Sequence, residues 1–314
     1  MILVMNKKHG VGCTLLSYNL GRLFNLPIFV DKNSFMIDEE HKLLFPHVAK
    51  ITASVKRGIF DIGANIETRY TKKFIQNAKL IIIPFEYGYE SLTATIQTLK
   101  YIEFASSRKI PTMLILNRLD RSDSDRDFNY TSHMKEKFFE DGINFGNIFD
   151  PNNVNNIYLT YLRNSYSIQS NLEYGEYFLD KMFNSNFIET KLNNLIDFRD
   201  KIQNIDYKIF LYIIQGILDR VDYTNEEIYR QDKDMVIFRN YYTQYIENQY
   251  PYLISNIEND LDSFFSANKG VRHNIHLNKI KNGIYVEKEK KLLKDMAYIS
   301  FLMDTLYNNK EILY

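Results

Sequence analysis

The sequence predicts an α/β fold: a doubly wound, mostly parallel sheet, followed by a mostly helical C-terminal region. Two observations predict it. Short, near-continuous apolar runs alternate with amphipathic segments over the first part of the chain, which is typical of parallel strands covered on both faces. After about residue 185 the apolar spacing changes to three and four residues, which is the period of a helix.

The strands are predicted at six apolar runs. These are residues 2–5, 28–31, 58–60, 80–85, 112–117 and 157–162. The segments between them read as helices because apolar residues recur on one face, and the clearest are residues 14–24, 91–104 and 132–139. Right-handed crossovers between parallel strands then place helices on both faces of the sheet.

The predicted domains are residues 1–185, which hold the sheet, and residues 186–314, which are mostly helical. The last helix is expected at about residues 287–306, where apolar side chains recur at helical spacing. The sequence contains no internal repeat and no low-complexity linker. We therefore expect the helical region to pack on the first domain or on a second copy of it.

Composition excludes several classes of protein. The 314 residues include 39 Lys+Arg and 39 Asp+Glu, so the zero net charge gives no long-range attraction to nucleic acid or acidic membranes. The single cysteine excludes an intramolecular disulfide, and the opening apolar run is too short for a signal peptide. No apolar stretch approaches the roughly 18 residues of a membrane span. A cytoplasmic protein is predicted.

A glycine-bearing loop follows the first strand and precedes an amphipathic helix. This arrangement binds phosphate in many proteins, because backbone N–H groups and the positive end of the helix converge there. Against the Walker pattern G-x-x-x-x-G-K-[ST], Gly12 and Thr14 are in register. Lys7 stands at the first glycine position and Cys13 at the lysine position, so the pattern alone leaves nucleotide binding open.

The string KHGVGCT, residues 8–14, resembles the K-G-G-x-G-K-[ST] loop of the ParA/MinD family of deviant-Walker ATPases. The signature lysine of that family falls on Lys8, whereas His9 and Cys13 depart from the pattern. The resemblance extends in order over roughly residues 1–183. It includes Asp31 at the end of the second strand, a Walker B type aspartate at Asp61, the strand-proline-loop-helix of residues 80–99, the pair Asn117-Arg118, and residues 157–175.

The resemblance implies a P-loop NTPase-like fold that binds ATP or ADP with Mg²⁺. It assigns catalytic roles to Asp31 and Lys8, and metal binding to Thr14 and Asp61. Lys8 would reach across a homodimer that forms over the two loops. The implied nucleotide-binding residues are Gly10, Val11, Gly12, Cys13, Thr14 and, at the adenine, Asn117.

The function implied by the resemblance is a nucleotide-dependent switch in DNA or plasmid partition or in mobile-element transfer. Such a switch works as a homodimer with a partner protein of ParB or adaptor type. A membrane partner is not expected, because the last helix mixes acidic and basic residues. If DNA is bound, the expected contact is a basic cluster, for which a solvated helix face is the alternative: Lys279, Lys281, Lys288, Lys290, Lys291 and Lys294.

The missing Walker lysine limits catalysis, because phosphoryl transfer depends mainly on positioning and charge stabilisation. Loss of one charge-assisted hydrogen bond, roughly 1.5–3 kcal/mol, weakens binding roughly ten- to over a hundredfold. One outcome is a slow ATPase partly rescued by Lys7, Lys8 or His9. The other is a pseudo-ATPase, in the limit a non-hydrolysing scaffold that oligomerises and binds a partner independently of nucleotide.

Structural interpretations stand beside the functional ones. Asp61 can be a helix or turn cap, Asp31 a solvated loop acid and Asn117 the start of a turn. Cys13 at a helix N-terminus can be a reactive thiolate, because that field lowers a thiol pKa. No set of His and Asp partners surrounds it in the sequence, and the six His and one Cys show no metal-ligand spacing.

Overall fold

The computed structural model describes residues 1–30, 48–50, 57–64, 66–119, 126–148, 150, 152–163 and 286–308. The chain divides into two compact units. One comprises Met1–Phe178 and Leu302–Glu311, and the other comprises Leu179–Phe301 and Ile312–Tyr314. The helices predicted between residues 186 and 285 lie outside the described residues, and the domain boundary at residue 185 stays a prediction.

The first unit contains a seven-stranded sheet in which every pairing is parallel. The strand order is β3-β2-β4-β1-β5-β6-β7, which confirms the predicted doubly wound plan. The strands are β1 Ile2–Met5, β2 Ile28–Val30, β3 Val48–Lys50, β4 Ile59–Gly63, β5 Leu80–Phe85, β6 Thr112–Leu119 and β7 Ile157–Arg163.

The described residues form five helices. Three of them match predicted segments, and the last matches the helix expected at about residues 287–306. The second was not predicted, because its sequence RYTKKFIQN is mostly polar and buries only Thr71 and Ile75. The helices are α1 Cys13–Leu23, α2 Arg69–Asn77, α3 Tyr89–Ala105, α4 Arg126–Glu140 and α5 Val286–Asn308.

Strand order places a topological switch point beside β1. The chain leaves β1 through α1 towards β2 on one side, whereas it leaves β5 through α3 towards β6 on the other. Ligands of open α/β sheets bind at the carboxyl ends of the strands that flank such a point. The loop after β1 lies at this edge.

The core is apolar and its aromatic rings are stacked between sheet and helices. Phe60 of β4 stacks on Phe29 of β2 at 5.0 Å between ring centroids and contacts Phe74 of α2 at 5.5 Å. Phe138 of α4 packs edge-on against Phe85 of β5 at 5.6 Å. Each such pair adds about 0.5–1.5 kcal/mol beyond its buried area, so these rings fix helices to strands.

Pro84 lies in the central strand β5, where a residue without an N–H group would normally interrupt a ladder. β1 pairs with β5 only from Leu80 to Ile82, so Pro84 lies beyond the end of that ladder. The Asn6 side-chain amide donates to the Pro84 carbonyl at 2.8 Å instead. A side chain from the loop therefore continues the contact between the two strands.

Within the described part of the chain, no helix is both long enough and apolar enough to span a bilayer.

Candidate functional site

The loop that joins β1 to α1 is anchored at its start by Asn6, whose side chain is buried. Besides Pro84, the Asn6 amide donates to the Thr95 hydroxyl of α3 at 3.1 Å. The Asn6 side-chain oxygen accepts a hydrogen bond from the Lys8 backbone at 2.9 Å, which turns the chain into the loop. The Lys7 backbone N–H donates to the Thr98 hydroxyl at 3.0 Å. Contacts with β5 and α3 thus set the path of the loop.

Two glycines shape the rest of the loop. Gly10 has φ +79° and Gly12 has φ +97°, a left-handed region that a side chain rarely adopts. Gly12 is the N-cap of α1, and the first turn of α1 contains no acidic residue. Since a glycine cap has no side chain to accept from the first-turn N–H groups, these donors and the positive helix end are suited to an anion.

Asn117, at the end of β6, lies directly against this loop. Its side-chain amide donates to the Val11 carbonyl at 2.9 Å, and a Cβ atom on Gly12 would collide with the same amide nitrogen. Its side-chain oxygen accepts from the Arg118 backbone at 2.9 Å. Arg118 has φ +56° and pairs with Glu86 at 2.6 Å. Asn117 therefore bridges the loop and the last residues of β6.

Asp61 and Cys13 form a buried pair of groups beneath the loop. Asp61 is 1% exposed, lies opposite Val4 of β1 and accepts from the Gly63 backbone at 3.1 Å. Burial raises the pKa of the Cys13 thiol well above 9.0, and the Asp61 charge raises it further, against hydrogen bonds from backbone N–H groups. The thiol is neutral at physiological pH. The interpretation of Cys13 as a reactive thiolate is therefore wrong, because burial outweighs the helix field.

The lysines beside the loop are both paired within the subunit. Lys7 Nζ lies 2.7 Å from Glu67 Oε1, and Lys8 Nζ lies 3.2 Å from Glu90 Oε2 in the first turn of α3. Both glutamates are exposed. Neither lysine was predicted to have such a partner, because the two pairs join residues 60 and 82 positions apart in the chain.

The other predicted site residues are placed as follows. Val11 is buried, Thr14 is half-buried in the first turn of α1, and His9 is exposed. Asp31, Lys279 and Lys281 lie outside the described residues. The remaining lysines of the predicted DNA contact are on α5, at positions whose side chains are likewise outside them: Lys288, Lys290, Lys291 and Lys294.

Some residues of the site were not predicted. Asn6 had a usable signal, since it is the first polar residue after a buried strand. Glu67, Glu90 and Thr95 had none, because their relation to the loop depends on which helices lie beside it. The structure brings Gly10, Gly12, Cys13, Asp61 and Asn117 together at the carboxyl edge of the sheet.

The strand order, the parallel sheet and the glycine loop at the switch point define a P-loop NTPase-like α/β fold. No protein-family model and no curated protein sequence matches this chain.

Solved structures similar to this one are ParA, MinD and McdA proteins, the family that the loop sequence resembles. Apo McdA from Cyanothece is 14% identical, with 59% of this chain and 94% of that chain covered and a TM-score of 0.40. MinD cell division protein from Aquifex aeolicus is 11% identical, with 58% and 90% covered and a TM-score of 0.38. A ParA family ATPase from Chlorobium tepidum is 15% identical, with 60% and 95% covered and a TM-score of 0.38.

Proposed function

We propose that this protein is a ParA-like nucleotide-dependent switch that binds ATP or ADP at residues 10–14 and hydrolyses ATP slowly or not at all. The observation that carries the proposal is the loop itself. Two left-handed glycines lead into an α1 N-terminus with no side-chain cap, at the switch point of a parallel sheet. Backbone N–H groups held in this way are donors for phosphate oxygens.

The residues beside the loop suit a Mg²⁺ ion. Thr14 offers a hydroxyl oxygen and Asp61 a buried carboxylate, and oxygen ligands are the type that Mg²⁺ prefers. A bound Mg²⁺ would neutralise charge on the β- and γ-phosphates. In this proposal Thr14 contacts the metal directly, Asp61 acts through water, Asp31 positions the attacking water, and Asn117 contacts the adenine.

The charge of the site explains why turnover should be slow. Cys13 stands where a Walker lysine would approach the phosphates, and its buried thiol is neutral. Lys7 and Lys8 are paired with glutamates, but exposed pairs are worth only about 0–1 kcal/mol, so a triphosphate can compete for either lysine. Without a fixed cation, the charge on the equatorial oxygens in the transition state is less well stabilised than the bound substrate.

The proposed assembly is a homodimer that faces itself across the two loops, with Lys8 at the interface. Closed two-fold dimers are the commonest protein assemblies. Lys8 is half-buried, and its partner among the described residues is an exposed glutamate, so it is available to exchange partners. The biological role in this proposal is partition of DNA, a plasmid or a mobile element, with a ParB or adaptor type partner and with the lysines of residues 279–294 as a DNA contact.

A second candidate is a non-hydrolysing scaffold with the same fold. The neutral, buried Cys13 favours it, since neither Lys7 nor Lys8 can replace the Walker lysine without first leaving an ion pair. In this case the loop would be a structural element, and the helical region would build an oligomer or bind a partner independently of nucleotide.

Calorimetry and ATP turnover distinguish the candidates. The full chain should bind Mg-ATP weakly, and Asp61→Asn should weaken that binding only when Mg²⁺ is present, because its role is to hold the metal. Asp150→Asn, an exposed change far from the loop in sequence, is the control. Cys13→Lys should tighten ATP binding and raise turnover, because it restores a cation.

Two results would contradict the switch. The absence of heat at millimolar nucleotide, with no effect of Asp61→Asn, would favour the scaffold. Rapid hydrolysis that Cys13→Ala leaves unchanged would mean that another cation occupies the place of the lysine.

A further inference from the structure

The exposed side of α2 carries an unusual arrangement of charge. Its nine residues include Arg69, Lys72 and Lys73, all exposed, and no acidic residue. Positions i, i+3 and i+4 share one face of a helix, so these three cations repel one another. Arg69 also lies in the first turn, where a positive charge opposes the helix dipole. Glu67, two residues before Arg69 in the chain, is bound to Lys7. The Thr68 side-chain cap and the contact of Lys72 with the Phe104 ring offset only part of this repulsion.

The connection after α3 extends this positive surface. The Arg108 guanidinium donates to the Gln76 and Ala78 carbonyls at the end of α2. The Gln76 side chain donates to the Ala105 carbonyl at the end of α3, so the ends of the two helices lie side by side. We call the exposed cations of this surface the basic stripe, and they are Arg69, Lys72, Lys73, Lys79, Arg108 and Lys109.

Within the part of the chain that the structure describes, ion pairs do not neutralise the cations of the stripe. None of its members forms a salt bridge with a described carboxylate. Two of them instead lie over rings, Lys72 at 5.0 Å from the Phe104 centroid and Lys79 at 5.7 Å from that of Tyr307. Two exposed acids, Glu67 and Glu103, lie close in the chain to members of the stripe, and Glu67 is bound to Lys7, so the six cations exceed the acids there in a chain of zero net charge.

Bare aromatic rings accompany the stripe. Phe104 is 76% exposed and lies beside Lys72, and Tyr70, directly after Arg69, is 71% exposed. Tyr101 lies 6.5 Å from Phe104, one turn away on α3. Rings exposed to this extent contribute little to the core. Lys72 covers one face of Phe104, so the other face of that ring and the ring of Tyr70 remain for another planar group.

We propose that the basic stripe binds single-stranded nucleic acid, independently of the nucleotide loop. Phosphates would neutralise the cations that repel one another on α2, and unpaired bases would stack on Phe104 and Tyr70. The rings favour a single strand over a duplex, because the bases of a duplex are stacked on each other and are not available. They also favour nucleic acid over an acidic peptide, whose carboxylates would use the cations and leave the rings bare.

The test is fluorescence anisotropy of the full chain with labelled dT and rU oligonucleotides of about 16 residues. A duplex of equal length and polyglutamate are the comparison ligands. For single strands, log K should fall with log salt by about 0.7 per phosphate contacted. The double variant Lys72→Gln/Lys73→Gln should reduce that slope by about 1.4. Phe104→Ala should weaken binding about five- to over a hundredfold, with a smaller change in slope.

Matched controls lie on α4, where Lys135 and Phe139 are also exposed. Lys135→Gln and Phe139→Ala should leave binding unchanged, and thermal melting should show every variant folded. Duplex binding as tight as single-strand binding, with Phe104→Ala neutral, would overturn the proposal in favour of a duplex surface. Preference for polyglutamate would overturn it in favour of an acidic protein partner. No binding of single strands at low salt would also overturn it.

Discussion

The loop between β1 and α1 and the basic stripe both carry cations, but these cations have opposite surroundings. Lys7 and Lys8 beside the loop are each paired with a glutamate, whereas the stripe has no described carboxylate bound to it. A ligand at the loop must compete with an internal partner, while a ligand at the stripe relieves repulsion. The loop is thus suited to a ligand that must displace an internal ion pair, and the stripe is suited to attraction of a polyanion.

The two regions also differ in what fixes their backbone. The loop is fixed by long-range hydrogen bonds from Asn6 to β5 and α3 and from Asn117 to Val11. The stripe lies on α2 and on the connections after α2 and α3, where local helix bonds and three side-chain hydrogen bonds from Gln76 and Arg108 hold the backbone. Substitutions in the loop should therefore affect stability, and substitutions of the stripe lysines should mainly affect binding.

The largest expected effect is at Gly12. Gly12→Ala forces a side chain into φ +97° and against the Asn117 amide, and should lower the free energy of unfolding by about 2–3 kcal/mol. Gly142 also has positive φ, but nothing lies within 4 Å of its Cβ position. Gly142→Ala should therefore lower it by only about 1 kcal/mol. Urea unfolding measures both.

A double variant isolates the contact between Asn117 and Gly12. Asn117→Ala removes the group that the new methyl group meets, so part of the cost of Gly12→Ala should disappear in Gly12→Ala/Asn117→Ala. If Gly12→Ala and Gly142→Ala are equally destabilising, Asn117 does not hold the loop and the contrast with the stripe is lost.

The next effect concerns pH. Because the pKa of Cys13 is raised in the folded state, its stabilising contribution is complete below the unfolded value, near 9.0, and is lost as pH rises above it. The free energy of unfolding should fall by about 1.4 kcal/mol per pH unit from this residue until the folded pKa is passed. Other groups titrate in the same range, so the measurement is the difference between wild type and Cys13→Ala.

The difference in free energy of unfolding between wild type and Cys13→Ala should be constant below about pH 8. Above about pH 9 it should shift in favour of Cys13→Ala. A difference that is constant up to pH 11 would mean that the thiol is not buried beside Asp61.

The smallest expected effects are the changes in stability on substitution of a single lysine in each of the two regions. Lys8→Gln should destabilise the protein by at most about 1 kcal/mol, and less at high salt, because it breaks an exposed ion pair. Lys73→Gln should be neutral or slightly stabilising, because it removes repulsion with Arg69. Thermal melting at low and high salt measures both. Stabilisation by Lys8→Gln, or clear destabilisation by Lys73→Gln, would reverse the contrast.

The sequence predicted the parts of the fold that depend on local pattern. β1 and β5 were located to the residue because their apolar runs are continuous and end at polar residues, Asn6 and Glu86. β3 was missed because its three residues form no apolar run, and α2 because its buried face is only Thr71 and Ile75. Both are short elements whose position depends on their neighbours.

In the candidate site, too, local features could be predicted from the sequence and long-range contacts could not. The glycines and the helix start were readable as a phosphate loop, because strand, loop and helix are consecutive. The contact of Asn117 with the loop spans 106 residues, and the sign of the Cys13 pKa shift depends on burial. Neither follows from local sequence. The pairing of Lys8 with Glu90 illustrates the reason, because it requires α3 to lie beside the loop.

The most direct test of nucleotide binding at the loop is a pair of glycine substitutions with the same backbone strain. Gly10 and Gly142 both have φ +79° and open space at the Cβ position, so Gly10→Ala and Gly142→Ala should cost similar stability. Titration calorimetry with Mg-ATP should show binding to wild type and Gly142→Ala with the same affinity, and binding at least about tenfold weaker to Gly10→Ala, about 1.4 kcal/mol. Equal affinity for all three proteins would contradict a phosphate site at this loop.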